Sequence, residues 1–322
     1  MIIFILICLI IVIGVYAIFV RDLMSARARL TGCSKMIETS FGALEYAVVG
    51  EGEPLLVVHG AAGGFDQSID MAGAVIGRGY SVIAPSRFGY LRSALPDDPT
   101  TAMQADAYVQ LLDHLGIDKV AIVSISAGAW SALQFAARHP ERCRTLVLLV
   151  PADYLPAGTS IRGGAIAREI FNSDFVAWAA LKLTLIVPGG MAQTMLGTDA
   201  SVIRAAEPSE KARVRQVLEH LLPVSSRFRG MQFDIQTAAM HEPYPIENTV
   251  CPVLTISAED DRFGTAARAR HIAKSVLNGK TVIFPTGGHA LVGRNADALR
   301  EVVSFLQHRV GWAERSEAQP TK

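Results

Sequence analysis

The chain has 322 residues, 50% of them hydrophobic, and a formal net charge of zero. Zero net charge argues against a nucleic-acid partner, which needs a basic face, and a chain beyond about 250 residues is expected to carry a second module or an insertion beside one large core. Cys8, Cys33, Cys143 and Cys251 have neither C-x-x-C nor zinc-type spacing, so no disulfide framework and no metal site is indicated.

The first element, residues 1–20, is apolar. Ile2 to Val20 contains no charge, with Gly14 and Tyr16 as mild interruptions, and at about 1.5 Å per residue it spans a hydrocarbon core of ~30 Å. A cleaved signal peptide wants a basic start and a shorter apolar core of about 7–15 residues. Here the basic residues, Arg21, Arg27, Arg29 and Lys35, come after the run. Ala26-Arg27-Ala28 has the small residues of a cleavage site but lies far from the apolar core. The reading is an uncleaved single-pass anchor in the membrane, and the positive-inside bias puts the following domain in the cytoplasm. Removing the run is expected to leave that domain soluble and intact, because its sheet begins only after about Thr39.

Residues 21–37 read as a polar, Ala/Arg-rich juxtamembrane segment of helical character. Alternation from Phe41 to Val49 predicts a strand, which Gly50-Glu51-Gly52 turns into Leu55-Leu56-Val57-Val58 as a hairpin-like sheet edge. The second strand runs into a glycine-rich turn, His59-Gly60-Ala61-Ala62-Gly63-Gly64. Ser81 to Ala84 is the next strand. Thr100 or Thr101 can cap a helix whose apolar positions Ala105, Tyr108, Leu112 and Leu115 recur at three- and four-residue steps and which ends at Gly116. Val120 to Val123 is a strand, Ala127 to Arg138 a small-residue helix, and Thr145 to Val150 another apolar strand. Such alternation indicates a mostly parallel sheet covered on both faces.

Residues 152–251 break this rhythm. They are helix-like, with Pro188-Gly189-Gly190 and Glu242-Pro243-Tyr244-Pro245 as breaks, and they read as an inserted helical cap. Phe175 to Val187 is strongly apolar, but it is short for a span and contains Lys182. It reads as a cap helix packed on the core; the sharper alternative is an apolar wall for the substrate, lying at the membrane surface. Pro252 to Ser257 is a strand ending in Ala258-Glu259-Asp260-Asp261-Arg262. Thr281 to Phe284 is another, ending in Pro285-Thr286-Gly287-Gly288-His289. A last amphipathic helix starts at Asn295 with Leu299, Val302, Val303 and Leu306 on one face, and residues 311–322 read as a disordered tail.

The chemistry concentrates at strand ends. Ser124-Ile125-Ser126-Ala127-Gly128 lies between an apolar strand and a helix, where a strained turn exposes a nucleophilic serine; the usual G-x-S-x-G has Ser124 as its first position here. A helix-capping serine would leave the same letters, so its neighbours decide. Asp261 after one strand and His289 after the next give the order Ser, Asp, His. His289 is the candidate base for Ser126, and Asp261 its orienting carboxylate, with Asp260 and Glu259 as rivals. The backbone N–H groups of Ala127 and Ala61 are the candidate oxyanion donors, with His59, Gly60 and Gly128 as structural support of the site. His114, His139, His220, His271 and His308 read as surface or helix-end residues. His241-Glu242 is a loop pair without a partner at metal-ligand spacing. Asp66, Arg87 and Arg262 read as salt-bridge or loop-packing residues, with contact to a carboxylate-bearing substrate a further role for Arg87.

On these residues the chain resembles the α/β-hydrolase superfamily, over about residues 38 to 310. Ala84-Pro85-Ser86-Arg87-Phe88-Gly89-Tyr90-Leu91-Arg92-Ser93 is similar to the family's loop after the fourth strand, commonly D-x-R-G-x-G-x-S. Gly63-Gly64-Phe65-Asp66-Gln67 and Asp260-Asp261-Arg262-Phe263-Gly264-Thr265 are similar to segments of a set of bacterial hydrolases within it. The resemblance implies a core in two parts, 38–151 and 252–310, and a Ser126, His289, Asp261 triad. No P-loop and no G-x-G-x-x-G opening a helix is present, so no cofactor is implied. The expected reaction is cleavage of an ester, thioester or amide of a small or lipidic acyl substrate through an acyl-enzyme. The same triad serves carbon–carbon bond hydrolysis, acyl transfer or cofactor-free peroxidation. A noncatalytic binding or receptor protein on this scaffold is the alternative, and it would have no need to keep all three residues. Neither substrate identity nor protein partners are written in the sequence.

Overall fold

Apolar runs become eight strands in the described residues: β1 (Lys35–Thr39), β2 (Gly42–Val49), β3 (Glu53–Val58), β4 (Tyr80–Pro85), β5 (Val120–Ile125), β6 (Cys143–Leu149), β7 (Val253–Ala258) and β8 (Gly279–Phe284). The computed structural model describes residues 1–73, 75, 78–152, 172–186, 196–240 and 245–317, and for 185–186 and 308–317 only the backbone. Pro188-Gly189-Gly190, His241-Glu242 and Pro243-Tyr244 lie outside the described residues.

The strands join in one sheet in the order β1-β2-β4-β3-β5-β6-β7-β8. From β4 through β8 all neighbours are parallel, while β2 runs antiparallel to both β1 and β4. The hairpin edge is therefore β1–β2. The expected pairing of Phe41–Val49 with Leu55–Val58 does not form, and β3 lies inside the sheet between β4 and β5. The cause is burial: Leu55 through Val58 are all buried, a run apolar on both faces that is stable only with a neighbour on each edge.

Alternation along the inner strands divides the core. Leu56, Val58, Ile83, Ile122, Leu146 and Leu148 face one side, where α3 (Thr101–His114), α4 (Gly128–Arg138) and α9 (Thr265–Ser275) pack. Leu55, Val57, Val82, Val123, Val147 and Ile256 face the other, against α2 (Phe65–Ala72) and α10 (Asn295–Glu317). Each such side chain withdrawn from water contributes about 1.5–3 kcal/mol. The α3 boundary follows the sequence reading: Thr100 Oγ1 accepts from Met103 N at 3.0 Å, and Gly116 turns the chain at φ +67°.

The N-terminal boundary differs from expectation. Helix α1 (Ile2–Leu30) runs unbroken past Val20, because Asp22 to Leu30 is made of good helix formers until Gly32, at φ +75°, ends it. Residues 35–37 belong to β1 and not to a juxtamembrane helix. Among the described residues α1 is the one helix long and apolar enough to cross a membrane. At the other terminus the expected disordered tail begins too early, since α10 continues to Glu317 through Ala313, Glu314 and Arg315.

Between β6 and β7 the described chain is helical: α5 (Asp174–Ile186), α6 (Ala200–Ala205), α7 (Pro208–Glu219) and α8 (Phe228–Met240). Trp178, Leu181, Leu196, Val214, Leu218 and Leu222 of this insert form a third apolar cluster. Ala62, Val292, Phe19 and Ala26 join it, so the insert packs against strand-end loops of the sheet and against the second half of α1.

Candidate active site

Ser126 follows β5 directly and takes φ +49°, a left-handed conformation that costs a non-glycine residue about 1–3 kcal/mol. Its amide donates to Leu149 O at 3.0 Å, and its carbonyl accepts from Ala129 N and Ala152 N, each at 3.0 Å. The turn is tight enough to dictate its neighbours. A Cβ on Gly128 would lie 2.6 Å from His59 O and 2.9 Å from Val58 O. Gly60 packs on the serine itself, where a Cβ would stand 3.2 Å from Ser126 Cβ. Ser124 fits in the first position because the missing Gly128 Cβ leaves room; that atom would be 3.0 Å from Ser124 Oγ.

Ser126 Oγ is 3.0 Å from His289 Nε2, and His289 Nδ1 is 2.8 Å from Asp261 Oδ2. A carboxylate only accepts, so Nδ1 carries the proton toward Asp261 and Nε2 is left to accept from the hydroxyl. Asp261 is buried and also accepts from Phe263 N at 2.8 Å and from the Thr265 hydroxyl. Three donors hold one carboxylate. Its two rivals have other partners. Asp260 accepts from Gly288 N at 2.8 Å and Gly287 N at 3.2 Å, bracing the loop that carries His289. Glu259 pairs with Arg270 at the surface.

The insert braces the same loop. Gly197, at φ +53°, accepts at its carbonyl from His289 N at 3.3 Å and Arg262 N at 3.0 Å. A Cβ there would meet the Phe263 ring at 2.7 Å and His289 Cβ at 2.9 Å. Phe263 stands edge-on to the His289 ring at 4.7 Å.

Opposite the histidine lies the glycine-rich turn. Among the described residues neither the Ala61 nor the Ala127 amide has an acceptor, whereas Ala62 N donates to Tyr90 Oη at 3.3 Å and Gly60 N to Gln67 Oε1 at 2.8 Å. His59 is fully buried. Arg87 N donates to its Nε2 at 2.9 Å, so Nδ1 is the protonated nitrogen and donates to Gly60 O at 2.7 Å. Burial, with Arg87 close by, pushes its pKa well below the ordinary histidine value. Both of its ring nitrogens are engaged by neighbouring backbone.

Two buried ion pairs tie this turn to the insert. Arg87, 3% exposed, bonds Asp234 of α8 through both ends of its guanidinium, at 2.6 and 2.7 Å, and Gly60 O at 3.1 Å. Tyr90 Oη completes the Asp234 site at 2.5 Å. Asp66 meets Arg227 at 2.7 and 3.1 Å, and Arg227 also donates to Gly63 O at 2.5 Å. Arg29, from the last turn of α1, bonds Asp66 as well and donates to Leu222 O at 2.9 Å. Burial pushes the Asp66 carboxyl up, but the two arginines outweigh it and leave its pKa at about 2.

Asp66 and Arg87 are thus the packing residues expected from the sequence. Arg87 is not available to a substrate carboxylate, since Asp234 and Gly60 occupy its guanidinium. Asp234, Arg227 and Gly197 went unnoticed. Their partners lie 147 and 161 residues away for the first two, and no local pattern announces such a pairing.

Residues 53–295 match the family described as the alpha/beta hydrolase fold. The chain is 30% identical over 271 residues to the uncharacterized hydrolase YcgS of Bacillus subtilis (strain 168), covering 79% of this chain and 91% of that one. It is 35% identical over 269 residues to a 2-hydroxy-6-oxo-6-phenylhexa-2,4-dienoate hydrolase of Burkholderia cepacia, covering 80% and 88%. A solved alpha/beta hydrolase fold protein from Nakamurella multipartita superposes with a TM-score of 0.69 at 22% identity, over 86% of this chain and 99% of that one. The chain belongs to the α/β-hydrolase superfamily, a superfamily of enzymes, and is a hydrolase.

Proposed function

We propose that the protein is a membrane-anchored serine hydrolase that cleaves an ester, thioester or amide of a small or lipidic acyl substrate. The observation that carries this reading is the Asp261–His289–Ser126 chain, with contacts of 2.8 and 3.0 Å. Ser126 Oγ attacks the carbonyl carbon while its proton passes to His289 Nε2. The carbonyl oxygen becomes an oxyanion facing the amides of Ala61 and of Ala127, the latter at the start of α4. The tetrahedral adduct collapses, the leaving group departs with the His289 proton, and an acyl group remains on Ser126. Water then gives its proton to His289, attacks the acyl carbon and releases the acid, returning the proton to Ser126. Asp261 keeps the imidazole in the required tautomer throughout.

A fluorophosphonate probe is expected to label the wild type and not Ser126→Ala. Labelling that persists in the variant, or that moves to Ser124, overturns the assignment, and an unlabelled wild type favours a noncatalytic scaffold. A second reading, hydrolysis of a carbon–carbon bond by the same residues, draws support from the 35% identity to the dienoate hydrolase. A panel of acyl esters of graded chain length together with a 2-hydroxy-6-oxo-dienoate separates the two.

The membrane part of the proposal rests on α1. Its first 19 apolar positions are long enough to span, and the arginines follow them, which favours a cytoplasmic domain. The insert acts as a cap, a reading supported by its contacts with Ala62 and Val292 and by the packing of its Gly197 against Phe263 and His289. Mass spectrometry of the mature chain is expected to recover residues 2–20, and alkaline carbonate to leave the protein in the membrane. A mature N-terminus near Arg29 makes the run a signal peptide. Proteolysis of the domain from outside intact cells inverts the orientation.

A further inference from the structure

We propose that helix α5 lies on the membrane surface and that its outward face is a lipid-contact surface of the enzyme. This rests on reading α1 as the bilayer anchor. On α5, Ala177, Trp178, Ala180, Leu181 and Thr184 are buried, and at 3.6 residues per turn they fill one side of the helix. The other side carries Phe175, Val176 and Leu183, which are 42%, 44% and 55% exposed. A helix apolar on both sides needs apolar cover on both. The described residues supply it on one side only.

Contacts with α1 fix what the second cover is. Phe19 stands edge-on to Phe175 at 5.2 Å and to Trp178 at 5.6 Å. Asp22, two residues beyond the apolar run, accepts from Trp178 Nε1 at 3.0 Å and pairs with Lys182 at 2.8 Å. The level at which α1 leaves the hydrocarbon is therefore the level of Phe175 and Trp178. Lys182, which argues against α5 crossing a membrane, has its charge answered at that same level. A helix so placed sinks its apolar face about 5–10 Å into the headgroup and acyl boundary.

Charge agrees with lipid as the occupant. Beside Thr184, on the covered side of α5, a cleft of about 550 Å³ is lined by Arg204, Lys211 and Arg215 with Ile203, Val214 and Leu218, and among the described residues no acid lines it. Cations flanking a helix at a membrane surface suit anionic headgroups. A protein partner for the same face would have to compete with the bilayer to which Phe19 already ties it.

The test uses the full chain in vesicles of phosphatidylcholine with a minor share of phosphatidylglycerol. Cys8 and Cys33, the exposed cysteines, are replaced by Ser, and an environment-sensitive fluorophore is attached at Val176→Cys, Leu183→Cys, Val12→Cys or Leu277→Cys. Leu277 is exposed in the turn before β8, at the end of the sheet opposite the strand ends that carry Ser126, Asp261 and His289. Each labelled variant is matched to the wild type by its melting curve, and if one position fails that match the other α5 position is read. Lipids carrying a nitroxide near the headgroup are expected to quench positions 176 and 183 strongly, lipids carrying it deep in the acyl chain to quench position 12, and neither to quench position 277. If position 12 is quenched while 176 and 183 behave like 277, the α5 proposal is overturned and the anchor stands. If position 12 is also unquenched, the anchor reading falls and takes this proposal with it.

Discussion

If Asp261 holds the His289 tautomer, Asp261→Asn lowers kcat by about 10⁴-fold with the fold kept. Asp260→Asn removes an acceptor from the Gly287 and Gly288 amides and so misplaces His289 indirectly, for a loss of about 10-fold. Steady-state kinetics on any cleaved ester give the ranking, and the reverse order would move the triad acid one residue upstream. Gly197→Ala acts from the insert. Its new Cβ has to displace Phe263 or His289, and a shift approaching 1 Å costs kcat about 10²-fold. KM for a short ester should change far less; an unchanged kcat would mean that the loop around His289 gives way freely. The sequence pointed to Ser126, Asp261 and His289 because each lies in the loop that follows its own strand, β5, β7 and β8. It was silent on Gly197, whose left-handed backbone and close neighbours arise only when the insert folds back.

Seven of the eight strands were legible as elements, β1 being read as part of the juxtamembrane segment, but their order was not. Leu55–Val58 reads the same whether it lies at an edge or inside, and only the burial of both its faces decides. The loop elements around His59 and Asp66 carry a pH signature. The Asp66 carboxyl titrates at about 2 in the fold against 3.8 in an unfolded chain. Between those values the unfolded chain binds more protons, so the stabilisation is complete above 3.8 and is lost as pH falls toward 2, by about 2 kcal/mol. His59 acts in the same direction higher up. Its folded pKa lies well below 6.5, so stability falls as pH drops below 6.5. Denaturant melts from pH 7 to 2 should show both limbs, and Asp66→Asn should flatten the lower one; an unchanged acid limb in that variant counts against the account. Removing one member of the Arg87–Asp234 pair leaves the other charge buried, at about 3–5 kcal/mol. Arg87→Met with Asp234→Leu should recover part of that loss in the same melts.

At the scale of the molecule, α1 is more than a tether. Phe19, Asp22, Ala26 and Arg29 all contact the insert or Asp66, so loss of residues 2–20 removes the Phe19 contacts and loss of the whole helix removes all four. A chain lacking residues 1–17 keeps these contacts and should melt near the wild type in detergent. One lacking residues 1–31 uncovers Trp178 and Leu181 and should melt roughly 5–10 °C lower. Equal melting temperatures would show that α1 adds nothing to the insert. The insert also joins two neighbouring strands: it leaves at Leu149, the end of β6, and returns at Val253, the start of β7, which lies in register with Leu146 of the parallel strand beside it. A segment closed in this way can be exchanged in evolution without touching the strands that carry the serine and the histidine. The two ion pairs limit that freedom by their polarity. In one the core offers the cation, Arg87, and the insert the anion, Asp234; in the other the core offers the anion, Asp66, and the insert the cation, Arg227. They act as a keyed plug with two pins of opposite sign. A replacement insert seats only if it brings an acid to one socket and a base to the other, in that order, so lineages that diversify their substrates by rebuilding this segment are expected to vary everything in it before those two charges.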